Sequence, residues 1–247
     1  MALSRNQLDK LGERLKAGDL GGDDLRMLDE YRRSFAATSS VVMQILRNDF
    51  GLAPTARPAK STAAIVEKLR RLSTQLTRLQ DIAGCRVVVE GLEHQQSLVV
   101  GLCQLVPALS GCKSGRSRGR AELRLPSHAC CRQVEGRWAE IQVRTELQHL
   151  WAMLSEKVAD RFGHALKYGG GDEAVRARMV GLSDAAYHVD FVQHLVRLAT
   201  RRLASGGDEE LLSQLAAEQA DLERDRRALS MRLQQVADNP DAVFDET

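Results

Sequence analysis

Several signals that commonly reveal an enzyme class are missing from this chain. It has no G-x-x-x-x-G-K-[ST] loop, which excludes a P-loop enzyme. It has no C-x-x-C pair. The five cysteines are Cys85, Cys103, Cys112, Cys130 and Cys131, and adjacent Cys130 and Cys131 beside His128 chelate one tetrahedral ion poorly. Reduced thiols and no zinc site are therefore expected. No apolar run is long enough to span a bilayer, and no secretory leader precedes the first helical pattern. A cytoplasmic protein without membrane contact is expected. Formal net charge is only +2 over 247 residues, so bulk electrostatics do not indicate DNA binding. No internal repeat is evident.

What is present is an ordinary globular composition, 43% hydrophobic, with its positive charge concentrated locally. The stretches Arg57 to Arg86 and Lys113 to Arg124 are rich in arginine and lysine. Local basic surface on a near-neutral chain suits a small polyanion such as a nucleotide. Three segments are expected: N-terminal helices over 1–50, a core over 51–172, and coiled-coil-like helices over 173–247. Asp23 or Asp24 caps one long helix running toward Leu46. Pro54 and Pro58 break the chain before a helix with Ile65, Leu69, Leu72 and Leu76 on one side. The dense apolar run Arg86-Val-Val-Val89 reads as an inner strand, and 132–145 as a hairpin turning at Glu135-Gly136. Helices follow over 146–162, 173–204 and 208–237. The last carries a seam of Leu212, Leu215, Gln219, Leu222, Arg226, Leu229, Leu233 and Val236. Such a seam packs back on the domain or pairs with a second copy, and a homo-oligomer through this helix is expected.

The residues able to do chemistry lie in the core. Glu140-Ile-Gln-Val-Arg-Thr145 alternates like a half-buried strand, placing Glu140, Gln142 and Arg144 on one face and Ile141 and Val143 on the other. Asp81 stands at the start of an earlier strand. Two carboxylates from different strands can hold one Mg²⁺ while phosphate oxygens complete its octahedron. Lys60 and Lys68 supply the cationic complement; eight residues of helix would set them about 12 Å apart, roughly the length of a triphosphate tail plus its base. Arg57 adds a planar fork.

Three blocks of this sequence resemble the synthetase domain of the RelA/SpoT alarmone synthetases, in its small single-domain form. They are Arg57-Pro-Ala-Lys60-Ser61 with Lys68-Leu69-Arg70, then Asp81-Ile-Ala-Gly84-Cys-Arg86, then Glu140 to Thr145 with Trp151-Ala152. The resemblance implies an α+β, nucleotidyltransferase-like fold: a mixed sheet of about five strands flanked by helices. It implies an enzyme that moves pyrophosphate from ATP to the 3′-hydroxyl of GDP or GTP. Asp81 and Glu140 would hold Mg²⁺, with Glu140 also drawing the attacking proton. Arg57, Lys60, Ser61, Lys68 and Arg70 would bind ATP; Gln142, Arg144 and His128 would line the acceptor side. The family's long forms add a hydrolase domain with a paired His-Asp motif, and no such dipeptide occurs here.

One family block is absent. The tyrosine of G-Y-R-x-x-H, which stacks on the acceptor guanine, is expected within 124–129, where this chain reads Arg124-Leu-Pro-Ser-His-Ala129. Those residues and the cysteine after them can be encoded by codons that, read one base later, give Gly-Tyr-Arg-Ala-Met-His. Two compensating frame shifts bracketing 114–131 are the expected cause, and the coding DNA decides it. Two other readings follow if the acceptor side is lost: a degenerate nucleotide-binding or dimerisation protein of the same fold, or transfer to a different acceptor.

Overall fold

A computed structural model describes residues 3–18, 20–57, 59–104, 113–116, 128–134, 136–204 and 209–244, with backbone alone for 113–116 and 128–134. Five strands form one sheet in the order β1-β2-β5-β4-β3. They are β1 (Thr55–Arg57), β2 (Ala83–Val89), β3 (Lys113–Arg116), β4 (His128–Val134) and β5 (Arg137–Thr145). The α+β class and the strand number agree with the expectation. The chain divides into two compact units. The first holds Met1–Val87, Val99–Ser114 and Ala129–Gln142; the second holds Val88–Leu98, Gly115–His128 and Val143–Thr247.

In the first unit, α1 (Arg5–Ala17), α2 (Gly22–Arg33), α3 (Ala36–Asn48) and α4 (Thr62–Leu72) accompany the strands. Ser4 starts α1 with a capping box to Gln7, and Gly18 ends it at φ 84°. Leu11, Leu15, Leu28, Phe35, Ile65 and Leu69 fill the core. Two expectations need correction. The long helix from Asp23 to Leu46 is two helices, interrupted at Ser34 and Phe35, where Phe35 turns into the core. The helix after Pro58 ends at Leu72, because Ser73 takes a left-handed conformation at φ 45°. Leu72 is consequently exposed, while Leu76 reaches the core from a separate 3₁₀ turn. β1 was unforeseen as a strand. It is three residues long, follows Pro54 directly, and pairs antiparallel with β2, Arg57 opposite Gly84.

The second unit holds α6 (Glu146–Phe162), α7 (Glu173–Leu203) and α8 (Glu209–Asp238). Their shared core includes Leu147, Trp151, Leu154, Val175, Met179 and Leu233. The α8 seam faces α6 and α7 of its own unit: Leu233 and Val236 are buried, and Leu229 packs against them. Arg226, the polar exception in that seam, pairs with Glu146 at 2.7 Å. The C-terminal end of the seam is thus covered within the chain, whereas Leu212, Leu215 and Leu222 are only half-buried. Helix α5 (Leu92–Gln104) contributes Gln95, whose amide donates to the Val143 carbonyl and to Gln148. Cys85 is a buried free thiol, whereas Cys103 is disulfide-bonded, against the expectation of reduced thiols throughout. No described helix is long and apolar enough to cross a membrane.

Candidate active site

Local structure delivers two acidic groups and three cations to the first unit. Lys60 is fixed by its backbone, whose N–H donates to the Ile82 carbonyl at 3.0 Å. Ser61 is the N-cap of α4, accepting from the Ala64 amide at 3.2 Å, so Lys60 precedes the helix and Lys68 lies on it. Both ammonium groups reach the same oxygen: Asp81 Oδ2 is 2.9 Å from Lys60 Nζ and 2.6 Å from Lys68 Nζ. The two nitrogens therefore stand no more than 5.5 Å apart. The expected 12 Å separation assumed that both were helical, and it is corrected by the cap at Ser61. Burial pushes the Asp81 carboxyl up, but Lys68 and Lys60 outweigh it and hold the group below its ordinary value.

Glu140 is presented by β5 beside β2. The two strands approach so closely that a Cβ on Gly84 would collide with the Glu140 carbonyl oxygen. Arg57, opposite Gly84 on β1, pairs with Glu140 Oε2, and Gln142 Nε2 donates to the same oxygen at 3.0 Å. Asp81 stands two residues before β2, and Glu140 lies on β5 against Gly84 of β2. Cys85 lies next to Gly84 on β2; burial pushes its thiol up to about 12, which leaves it inert at neutral pH. Three cations thus serve two carboxylates in two pairing groups, Arg57 with Glu140 and both lysines with Asp81.

A divalent cation would have Asp81 and Glu140 as its protein ligands; no group of three or more His, Cys, Asp or Glu side chains is gathered for a metal among the described residues. Asp81 Oδ1 is buried without a hydrogen-bond partner, although Oδ2 is doubly paired. An orphaned anionic oxygen is costly unless something binds it, and a hard cation fits that donor. Both hydrogen bonds to Glu140 fall on Oε2.

A cavity of about 550 Å³ adjoins Arg57. Arg32, Arg33 and Asp29 from α2, Phe35 and Ser39 line it with Arg57. Arg32 is held by Asp29 at 2.9 Å and by the Thr62 hydroxyl at 2.9 Å, and its Nε is buried without a partner. Sequence reasoning missed Arg32 and Arg33. Their only signal was the Arg32-Arg33 pair at the end of a helix, ordinarily a solvated or dipole-stabilising feature.

The remaining candidates are placed elsewhere. Arg70 Nε donates to the Lys16 carbonyl at 2.8 Å, at the C-terminal end of α1, and does not join the Asp81 cluster. Arg144 belongs to the last part of β5, in the second unit. His128 opens β4, but its side chain and residues 117–127 lie outside the described residues.

A family described as the region found in RelA/SpoT proteins matches residues 57–160, from Arg57 through β5 and most of α6. Residues 57–160 are thus similar to that region. The match spans both pairing groups, and the solved structures agree in fold. Small alarmone synthetase 1 from Bacillus subtilis superposes with a TM-score of 0.55 at 22% identity, covering 74% of this chain and all of that one. The same enzyme bound to its product pppGpp gives 0.53 at 21%, covering 72% and 97%. A GTP pyrophosphokinase family protein from Streptococcus pneumoniae gives 0.53 at 18%, covering 80% and 98%. Curated relatives include uncharacterized proteins of Mycobacterium tuberculosis and Mycobacterium bovis, 34% identical over 130 residues. The matched part is 49% of this chain and 45% of each of theirs, so the chain spans less than half the length of these relatives.

Proposed function

We propose that the RelA/SpoT-type domain transfers pyrophosphate from ATP to the 3′-hydroxyl of GDP or GTP. One observation carries the reading: within the matched region, Asp81 and Glu140 are each already paired to the cations expected to hold ATP. Charge would be exchanged on binding. Lys60, Lys68 and Arg57 release their carboxylates and take phosphate oxygens instead, and Asp81 and Glu140 become free to bind Mg²⁺. The bound ion would neutralise charge on the transferring phosphorus and its leaving group.

In the transfer, the acceptor O3′ forms a bond to the β-phosphorus of ATP. The bond from that phosphorus to the α–β bridging oxygen breaks, and AMP leaves carrying the oxygen. Glu140 takes the proton of the attacking hydroxyl once Arg57 has turned to the phosphates. Little covalent work falls to the protein, so positioning and charge supply the rate. Gln142, held on Glu140, is placed to orient that carboxylate toward the acceptor. The cavity beside Arg57 is large enough for a nucleoside, and Arg32 and Arg33 extend the cationic surface into it.

The test is a labelled transfer assay. The protein is incubated with ATP labelled in the γ-phosphate, Mg²⁺ and GDP or GTP, and a pyrophosphorylated product is expected. Glu140→Gln keeps a hydrogen-bond acceptor for Arg57 but cannot take a proton; product formation should fall by at least about 100-fold, the usual share of a general base. Product formed equally well by the variant would refute the assignment. Label transferred only when an adenine nucleotide or a tRNA end replaces the guanine acceptor would identify a different acceptor.

A further inference from the structure

Helix α7 buries one side and leaves a patterned stripe on the other. Its buried side, with Val175, Met179 and Ala186, packs against α6 and α8. On the outer side a path of alternating three- and four-residue steps runs from Ala174 to Arg202, and every residue on it is exposed. At 1.5 Å per residue the path is about 42 Å long. Its C-terminal half carries Phe191, Leu195 and Leu198, and the Tyr187 ring stacks on Phe191 with centroids 5.9 Å apart. These four side chains are between 39% and 47% exposed. Exposed apolar residues are ordinary when scattered, but a contiguous stripe marks a contact surface. The N-terminal half of the path begins with small residues only: Ala174, Ala177 and Gly181. A Cβ on Gly181 would meet nothing within 4 Å, so nothing in the chain requires a glycine there, although it weakens the helix.

We infer that α7 pairs antiparallel with α7 of a second copy of this chain, about a two-fold axis level with Ala186. A three-and-four seam is the pattern of paired helices, and in an antiparallel pair its alternate positions face each other across the seam. That register sets Leu198 over the partner's Ala174, Leu195 over the partner's Ala177 and Phe191 over the partner's Gly181. Large meets small in each apolar layer, which lets the two helices interlock. The remaining layer sets His188 against the partner's Asp184. Among the described residues neither side chain has a hydrogen bond or ion pair within its own chain. An imidazole N–H can donate to that carboxylate, and the two-fold repeats the pair. The alternatives are worse matched. A parallel pair sets Asp184 against itself, and a slide of seven residues sets Asp184 against Leu195. The pairing uses no residue of the Asp81 and Glu140 groups, so it stands whether or not they transfer pyrophosphate.

Sedimentation equilibrium of the full chain tests this, and a monomer–dimer equilibrium is expected. Leu195→Glu places a charge in the seam, and Gly181→Leu fills the notch for Phe191 with a better helix former. Both positions are exposed in the single chain, so the fold does not depend on them. Each change should raise the dimer dissociation constant by at least about tenfold. His188→Asp sets carboxylate against carboxylate and should also weaken the dimer. Adding Asp184→His restores a carboxylate–imidazole pair with the partners exchanged, and should bring the constant back to within about threefold of the parent. A dimer unchanged by Leu195→Glu would overturn the inference, as would a His188→Asp defect that Asp184→His does not rescue. So would a chain that stays monomeric at its highest soluble concentration, the result expected if a different protein or a further segment of a longer chain covers this face.

Discussion

At the scale of single residues, the site depends on a side chain that is missing. Gly84 lets β2 and β5 approach until the Glu140 backbone fills the space of a Cβ. That contact sets Glu140 against Arg57, which pairs with Gly84 across the β1–β2 ladder. Gly84→Ala must push the strands apart, and overpacking of this kind costs about 1–3 kcal/mol. A lower thermal midpoint with a larger loss of transferase activity is the expected outcome. A variant with the stability of the parent would show that the approach is looser than described. The reactive residue types were legible from sequence because alternation and motif spacing mark them. Ser61 and Arg70 were given ligand roles there, yet one caps α4 and the other holds the end of α1. Nothing in the local sequence distinguishes a capping serine from a phosphate-binding one, since both need a small hydroxyl before a helix.

At the scale of elements, the junction of β5 with α6 carries a second polar centre. Thr145 ends the strand, caps the helix through Gln148, and donates its hydroxyl to Asp190 of α7 at 2.6 Å. Asp190 is 4% exposed, and burial pushes its carboxyl up to about 6; the Thr145 hydroxyl and the Arg226 and Arg197 charges act the other way, while Glu146 adds to the rise. A carboxyl that holds its proton more tightly folded than unfolded favours the fold most below about pH 4, and loses that contribution as pH rises through about 6. Asp190→Asn keeps an acceptor for Thr145 without the charge. It should raise stability at pH 8 by on the order of 2–3 kcal/mol, the value of a two-unit shift, with the gain vanishing near pH 4. Denaturant unfolding at the two pH values checks this, and a gain equal at both would exclude the buried charge as its source. Sequence could not supply this pairing, because Thr145 and Asp190 are 45 residues apart. The helix boundaries of α6 and α7 were legible, since caps and apolar periods are local signals.

At the scale of the whole molecule, ligand binding and folding are linked. The paired carboxylates and cations compensate one another without ligand, and nucleotide with Mg²⁺ would replace each internal pair by a stronger one. A ligand that binds only the folded protein adds about 2.7 kcal/mol at a hundredfold excess over its dissociation constant. For a chain of this length each kcal/mol is worth roughly 2–4 °C. Mg²⁺ with a non-hydrolysable ATP analogue should therefore raise the midpoint by several degrees, and chelating the metal should remove much of that rise. A shift of the same size in the Asp81→Asn protein would argue against Asp81 as a metal ligand.

The sequence alone determined the residue types, the strand that carries Glu140 and the helices that follow it, because side-chain period and capping act over a few residues. It also lacks, at 124–129, the acceptor block of the family it resembles. Only the tertiary structure decided which charges meet. Arg57 finds Glu140 across 83 residues, and Lys60 finds Asp81 across 21. The same holds for the α8 seam, whose pattern suited either a second copy or its own chain and whose Leu229, Leu233 and Val236 end packs within its own unit. Partner choice is set by chain geometry and exclusion of water, which a local pattern does not encode.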